Sequence, residues 1–103
     1  MNVSQIVISQ LKTESGRDIF FEITKQMVIW LSNKPGFQSY QLYENGLHMS
    51  DIIVYDSMEA ANAINAEFRK TKIFEEFMAL VEPTYTGFIG AAVNLVPPIS
   101  AVN

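Results

Sequence analysis

The stretch from Gly36 to Asp56, GFQSYQLYENGLHMSDIIVYD, constrains the fold most. Two runs rich in β-branched and aromatic residues flank the four residues from Glu44 to Leu47, which have Asn-Gly at their centre. Asn and Gly both tolerate the positive φ that a tight hairpin turn requires. Pro35 and Gly36 precede the first run, where Pro resists continuing a helix and Gly permits a chain reversal. The stretch therefore predicts a β-hairpin, and a helical pattern lies on either side of it.

Two segments before the hairpin have the patterns of a strand and a helix. Residues 3–11 have a continuous apolar centre, and a strand that is apolar on both faces is expected to be covered on both, in the middle of a sheet. Residues 18–33 carry a wide apolar arc at helical spacing, with only Ile29 out of place. An arc this wide is expected to contact more than a flat sheet, so it could line a pocket or meet a second subunit.

The segments after the hairpin predict a second helix and a last strand. Residues 56–59 have the form of a capping box, with Asp56 as the N-cap. The apolar pattern slips near Thr71, which indicates a short separate helix that ends at Pro83. Residues 84–93 predict the last strand, whose two glycines indicate a bulge or a close backbone approach.

The resulting order, β-α-β-β-α-β, predicts an α+β, ferredoxin-like domain over residues 1–93, with a four-stranded antiparallel sheet and an extended tail at 94–103. Right-handed crossovers place both helices on one face of the sheet. The other face then lacks cover, and a second copy packed sheet to sheet is the simplest cover. A charged content of 17%, against about 25% in ordinary chains, agrees with such a homodimer. This open face is expected to hold alternate positions or their neighbours, such as Phe37, Ser39, Ile53, Tyr55 and Phe88.

Composition excludes several function classes. The net charge is −4 with a pI of about 4.8, and the seven Lys and Arg are dispersed, so neither nucleic acid nor an anionic membrane is an expected partner. The absence of cysteine excludes disulfides, thiolate catalysis and cysteine metal sites, and a single histidine leaves little for transition-metal chemistry. No apolar run approaches the roughly 18 residues that span a bilayer, so we expect a cytoplasmic protein.

Two segments carry a family resemblance: residues 34–43, KPGFQSYQLY, and residues 54–61, VYDSMEAA. Through them the chain, over about Val3 to Val93, resembles dimeric α+β barrel proteins of the antibiotic-biosynthesis-monooxygenase type. The resemblance implies a homodimer whose two sheets close a barrel, with a pocket between helices and sheet in each subunit. The known relatives include cofactor-free oxygenases of aromatic polyketides and quinols, and haem-degrading enzymes. The resemblance therefore implies an activity of one of these kinds.

The chain departs from the family pattern at two places. Tyr55 stands where the family usually has Trp before the second helix. The haem-degrading branch needs a histidine on or after that helix, and no histidine follows His48. Haem degradation is therefore disfavoured. We expect no cofactor and no metal.

Tyr55 and Asp51 are the candidate catalytic residues. A phenol at Tyr55 could hydrogen-bond a substrate oxygen or stabilise a phenolate, or it could only close the core with its hydroxyl at the rim. Asp51 interrupts the apolar alternation of its strand and shares a face with Ile53 and Tyr55. A buried, unpaired carboxylate is costly, so Asp51 either reaches solvent at a rim, which we favour, or acts as a base. His48 follows the turn, where we expect it to be exposed.

Four further residues are candidates for ligand binding. Trp30 lies on the apolar arc of the first helix and could stack on a flat ligand, with Phe68 as a second wall. Asn62 and Asn65, near the start of the second helix, could orient an oxygenated ring. The commoner roles of such residues are a core position for Trp and an exposed helix surface for Asn.

These features and the resemblance favour a cofactor-independent monooxygenase that acts on a small aromatic phenol or quinol in an apolar pocket. In that chemistry the substrate carbanion supplies electrons to O₂, and the protein supplies desolvation, orientation and hydrogen bonds. The alternative is a non-catalytic small-molecule-binding or accessory homodimer of the same fold, because the sequence has no phosphate loop, carboxylate pair or nucleophile triad in a recognisable pattern.

Overall fold

Four antiparallel strands, β1 (Val3–Gln10), β2 (Phe37–Asn45), β3 (His48–Tyr55) and β4 (Thr86–Gly90), form one sheet in the order β2-β3-β1-β4. Three helices, α1 (Arg17–Ser32), α2 (Met58–Phe68) and α3 (Lys72–Leu80), and a short 3₁₀ turn (Glu14–Gly16) complete the order. This computed structural model describes residues 1–95, so 96–103 of the predicted tail lie outside the described residues. The ferredoxin-like α+β plan is confirmed, with β1 in the middle of the sheet.

The hairpin turn lies one residue later than the sequence predicts. Asn45 pairs with His48 as the last rung of the β2–β3 ladder, so Gly46 and Leu47 are the two central residues. Gly46 has a φ of +62°, whereas no residue other than glycine has a positive φ within 1–95. Glycine at the first central position, followed by a residue of negative φ, is the pattern of a type II′ turn. The turn therefore needs one permissive residue, and Asn45 is free to extend the strand.

A second glycine, Gly36, brings the start of β2 against the start of α2. Its φ is +96°, and a Cβ at this position would lie 2.6 Å from the Cβ of Ala60 and 2.9 Å from Oδ1 of Asp56. The backbone N–H of Asp56 donates to the carbonyl oxygen of Gly36 over 2.8 Å. Only glycine fits this contact without movement, which explains the glycine before the strand.

A β-bulge follows at once. Phe37 pairs with Tyr55, but Ser39 pairs with the next residue, Val54, so Gln38 is an extra residue in β2. The bulge turns Phe37 towards the helices, on the same side as Tyr40, and both residues pack against the core. Strict alternation would place these two residues on opposite faces.

Side-chain caps define where α2 and α3 begin. Ser57, with an extended backbone, accepts from the N–H of Ala60 over 3.0 Å and is the N-cap of α2. The predicted capping box at Asp56 is therefore wrong: the N-cap lies one residue later, and the N–H of Asp56 is bonded to Gly36. Thr71 caps α3 by accepting from the N–H of Phe74 over 3.2 Å. The predicted break near Thr71 is confirmed.

The core lies between the sheet and the helices. Along β3 every second residue is buried, and these residues face the helices: Met49, Asp51, Ile53 and Tyr55. From α1 the largest buried contributions are Phe20, Met27 and Leu31. α3 has no buried residue, although Phe77 packs on both core clusters.

The opposite face of the sheet is open and largely apolar. Ile8 is 55% exposed and Phe88 is 65% exposed, and Ile6 pairs directly with Phe88 across the two strands. Ser39 and Phe88 of the predicted open-face set lie here, but three members of that set face the helices instead: Phe37, Ile53 and Tyr55. Ile6 pairs with Ile52, and paired residues lie on the same face of a sheet. Ile52 and, two residues further along the strand, Val54 therefore lie on the open face.

The last strand is shorter than predicted, Thr86–Gly90 in place of residues 84–93. Its pairing with β1 runs without a bulge. The predicted close backbone approach does not occur either: at Gly90 the contact is with a side chain, since a Cβ there would lie 2.6 Å from the ring of Phe88 in the same strand. Among residues 1–95, every helix is too short or too polar to cross a bilayer.

Candidate functional site

A cavity of about 100 Å³ lies between the helix-facing side of the sheet and the three helices. Its walls are apolar and largely aromatic, and they comprise Phe20, Met27, Phe68, Phe74, Phe77 and Met78. The sheet contributes polar groups at Gln5, Asp51 and Tyr55, and Asn65, Arg69 and Tyr85 also line the cavity. An apolar pocket with a few convergent polar groups is the usual form of a small-molecule site.

Asp51 is a carboxylate in the middle of the core. It is 9% exposed, it lines the cavity, and its Oδ1 has no hydrogen-bond partner among the described residues. The expectation that Asp51 reaches solvent at a rim is wrong, because the alternation of β3 points it towards the helices with Ile53 and Tyr55. Burial raises its pKa to about 6, while the neighbouring hydroxyl of Tyr40 opposes that rise. A carboxyl group that titrates near neutrality suits general acid–base work.

Tyr40 is a polar residue of the site that the sequence analysis missed. Its hydroxyl is buried and has no hydrogen-bond partner within residues 1–95. Burial raises its pKa, as does the negative charge of Asp51, so the phenol stays protonated. The sequence shows that Tyr40 and Leu42 share one face of the strand and that Gln41 and Tyr43 share the other. Which pair faces inward, however, depends on the register of the hairpin, which pairs Leu42 with Asp51.

Tyr55 is 1% exposed at the end of β3, and its ring lines the cavity. Its hydroxyl donates to Oε1 of Gln5 over 2.8 Å, and burial raises its pKa to about 12. The phenol is therefore neutral, and its hydroxyl lies inside the core rather than at a rim. Gln5 is a second polar residue that the sequence analysis missed, and its interruption of the apolar first strand was the available signal.

The structure brings two of the four ligand-binding candidates to the cavity. Asn65 and Phe68 line it, and Asn65 is half-buried although the helical pattern assigns it to the polar face. Trp30 and Asn62 do not line it. Trp30 lies behind the wall, with its ring centroid 5.4 Å from that of Phe68, and Asn62 is exposed on α2. The cavity residue Arg69 follows Asn65 by one helical turn.

His48 is exposed, as expected, and lies away from the cavity. Within the part of the chain that the structure describes, no three histidine or acidic side chains cluster closely enough to hold a metal ion.

No family model and no curated protein sequence matches the chain. Several solved structures are similar in fold. SnoaB, a cofactor-independent oxygenase from Streptomyces nogalater, superposes with a TM-score of 0.78 at 15% identity, over 94% of this chain and 98% of its own. A monooxygenase from the gene ActVA-Orf6 of Streptomyces coelicolor, in complex with nanaomycin D, has a TM-score of 0.75 at 16% identity, over 94% and 92% of the two chains.

A third similar structure is an antibiotic biosynthesis monooxygenase, with a TM-score of 0.69 at 16% identity, over 89% of this chain and 99% of its own. These neighbours are of the type that residues 34–43 and 54–61 resemble. They confirm the ferredoxin-like α+β fold of the single chain.

Proposed function

We propose, from the premise that the chain has the fold of the antibiotic-biosynthesis-monooxygenase-type proteins, that it is a cofactor-independent monooxygenase of a small aromatic phenol or quinol. The observation that carries the proposal is Asp51, a buried carboxylate that lines an aromatic cavity. The neighbouring oxygenases support the reaction type.

In the proposed reaction Asp51 takes the proton of the substrate hydroxyl. The raised pKa of Asp51, about 6, lies closer to the pKa of a phenol, about 10, than the pKa of an ordinary carboxyl does. The Asp51 carboxylate is therefore a stronger base towards the phenol. The phenolate ring carbon donates electrons to O₂ and a C–O bond forms. Asp51 returns its proton to the resulting peroxide. Loss of the ring proton then breaks the O–O bond, so that phenol and O₂ yield quinone and water.

The size of the cavity supports a single-ring substrate. Its volume of about 100 Å³ is of the same order as an apolar cavity of ~150 Å³ that takes up benzene. Fused three-ring compounds are considerably larger than benzene. We therefore expect single-ring phenols and quinols to react before anthrone-like compounds.

The other candidate residues fit around this reaction. We propose that Asn65 orients a substrate oxygen and that Phe68 forms a wall, with Trp30 supporting the Phe68 ring from behind. We assign Tyr55 to the floor of the cavity, where its bond to Gln5 holds the ring in place. Asn62 is exposed, and we propose no catalytic role for it in the single subunit. We further propose that the protein acts as a homodimer through its open sheet face.

The test is oxygen uptake during a screen of phenols and quinols, with water rather than hydrogen peroxide as the reduced product. We expect Asp51→Asn to lower turnover by about 10²- to 10⁴-fold, the usual contribution of a general base. Asp18→Asn is the matched control, since Asp18 is exposed on α1, and it should leave turnover unchanged. Turnover that is equal in Asp51→Asn and wild type would remove the proposed base. Tight binding of these ligands without oxygen uptake would support the non-catalytic alternative.

A further inference from the structure

Two buried polar atoms lack a partner in the described part of the chain, and they belong to neighbouring residues: Oη of Tyr40 and Oδ1 of Asp51. Buried polar groups are nearly always hydrogen-bonded, so each such atom calls for an explanation. One of the two residues offers an O–H donor, and the other, when ionised, offers only acceptors. Their requirements are therefore complementary.

The sheet brings these residues together across β2 and β3. Leu42 pairs with Asp51 and Tyr40 pairs with Ile53, so Tyr40 and Asp51 are diagonal neighbours on the helix-facing side. Each changes the other's pKa: the charge of Asp51 raises that of Tyr40, and the hydroxyl of Tyr40 lowers that of Asp51.

Only Asp51 of this pair lines the cavity. Tyr40 lies behind it, close to the hydroxyl of Thr24, which donates to the carbonyl oxygen of Phe20 over 2.8 Å. Tyr40 can therefore reach a ligand only through the carboxylate of Asp51.

We propose that Tyr40 is a positioning residue for Asp51, whose ionised carboxylate accepts the Tyr40 hydroxyl at Oδ1 and keeps Oδ2 for the hydroxyl of the ligand. The hydrogen bond itself stands independently of the proposed oxygenase reaction, and only its effect on turnover rests on that reaction. The bond holds the plane of the carboxylate and stabilises its charge. Phenylalanine at position 40 could do neither.

Other titratable or charged groups around the cavity are accounted for. Tyr55 on β3 donates to Gln5, and Arg69 after α2 and Tyr85 before β4 line the cavity. β1 contributes Gln5, Val7 and Ser9, and α1 contributes Thr24, none of which titrates. Apart from burial, the Tyr40 hydroxyl is the influence that moves the pKa of Asp51.

The experiment measures the pKa of Asp51 by ¹³C NMR of protein labelled at the aspartate carboxyl carbon. The chain has three aspartates, at 18, 51 and 56, so three resonances are expected and Asp51→Asn identifies the relevant one. We expect a midpoint near 6 in the wild type and a rise of about one pH unit in Tyr40→Phe, the scale of one hydrogen bond to a charged group. Tyr43→Phe is the matched control, since Tyr43 is exposed on the same strand.

An unchanged midpoint in Tyr40→Phe, or an equal shift in Tyr43→Phe, would overturn the proposal. If Tyr40→Phe does not fold, ¹³C labelling of the tyrosine ring in wild type provides the second measurement. The chemical shift of Tyr40 should then change with pH at the midpoint of Asp51, and this change should be absent in Asp51→Asn. A Tyr40 chemical shift that does not change at that pH in the wild type would equally overturn the proposal. On a confirmed substrate, the acid limb of kcat/KM should move upward in Tyr40→Phe.

Discussion

At the scale of single residues, the proton on Asp51 links the site to the stability of the protein. The pKa of this carboxyl rises from 3.8 to about 6 because folding removes it from water. Between these values the folded state holds a proton that the unfolded state has lost. The free energy of unfolding therefore falls as pH rises through this window, and it levels above about pH 6. The total change is about 3 kcal/mol.

Asp51→Asn should remove this pH dependence, because an amide does not ionise. We expect the free energy of unfolding of the variant, relative to wild type, to increase by about 2.5 kcal/mol between about pH 4 and pH 7. Urea denaturation at several pH values measures the difference, and the exposed Asp18→Asn should show none. A difference for Asp51→Asn that stays constant over this range would contradict the buried, raised-pKa carboxyl.

The sequence identified Asp51 but not its neighbour, for a physical reason. A carboxylate that interrupts an apolar alternation can be recognised from the neighbouring residues in the sequence alone. Tyr40 is one of several aromatic residues in β2, and its direction depends on the exact register of the hairpin, which pairs it with Ile53. The burial of Asp51 depends on helices that pack on β3 from elsewhere in the chain. The sequence around Asp51 does not show this packing, and an unpaired carboxylate is costly to bury, so the sequence favoured a solvent-exposed position.

At the scale of the elements, local patterns predict the order of strands and helices, and long-range contacts decide their ends. Asp56 and Ser57 are both good N-cap residues. The bond from the N–H of Asp56 to Gly36 keeps Asp56 beside β2, so Ser57 becomes the cap. The Thr71 break was predictable because Thr71 caps α3 through a bond within its own turn.

The two glycines with positive φ provide a matched test of these contacts. Gly36→Ala places a Cβ 2.6 Å from that of Ala60, whereas Gly46→Ala meets no atom within 4 Å. Gly46→Ala carries only the backbone strain, about 1 kcal/mol, and Gly36→Ala adds a collision, for a cost of roughly 3 kcal/mol or more. Thermal or urea unfolding of both variants measures the difference. Equal destabilisation would show that the contact with α2 relaxes freely.

At the scale of the whole molecule, the open face of the sheet remains to be covered. Ile6, Ile8 and Phe88 form an apolar surface on it, and no other part of residues 1–95 covers Ile8 and Phe88. Obligate homodimer interfaces commonly bury about 2,000 Å² or more. A second copy, sheet against sheet, is the partner we propose.

Light scattering at micromolar concentration should give about twice the chain mass of 11.6 kDa. Ile8→Glu should shift the protein towards monomer, because it would bury a charge at the proposed interface. Ile29→Glu is the control, since Ile29 is an equally large side chain that is 66% exposed on α1, and the dimer should persist. A monomeric wild type, or equal effects of the two substitutions, would contradict this interface.

The extra residue in β2 has a consequence for how such a chain can evolve. The register from Ser39 onward is fixed by the hairpin turn, so the pairing of Tyr40 with Ile53 does not depend on what precedes Ser39. Loss of Gln38 would rotate Phe37 and its neighbours while Tyr40 and Asp51 kept their places. Insertions and deletions at this point can therefore remodel the contact with α2 without disturbing the chemistry beside it. An alignment of relatives needs to allow a gap here, or it will match Tyr40 to a residue that faces the other way.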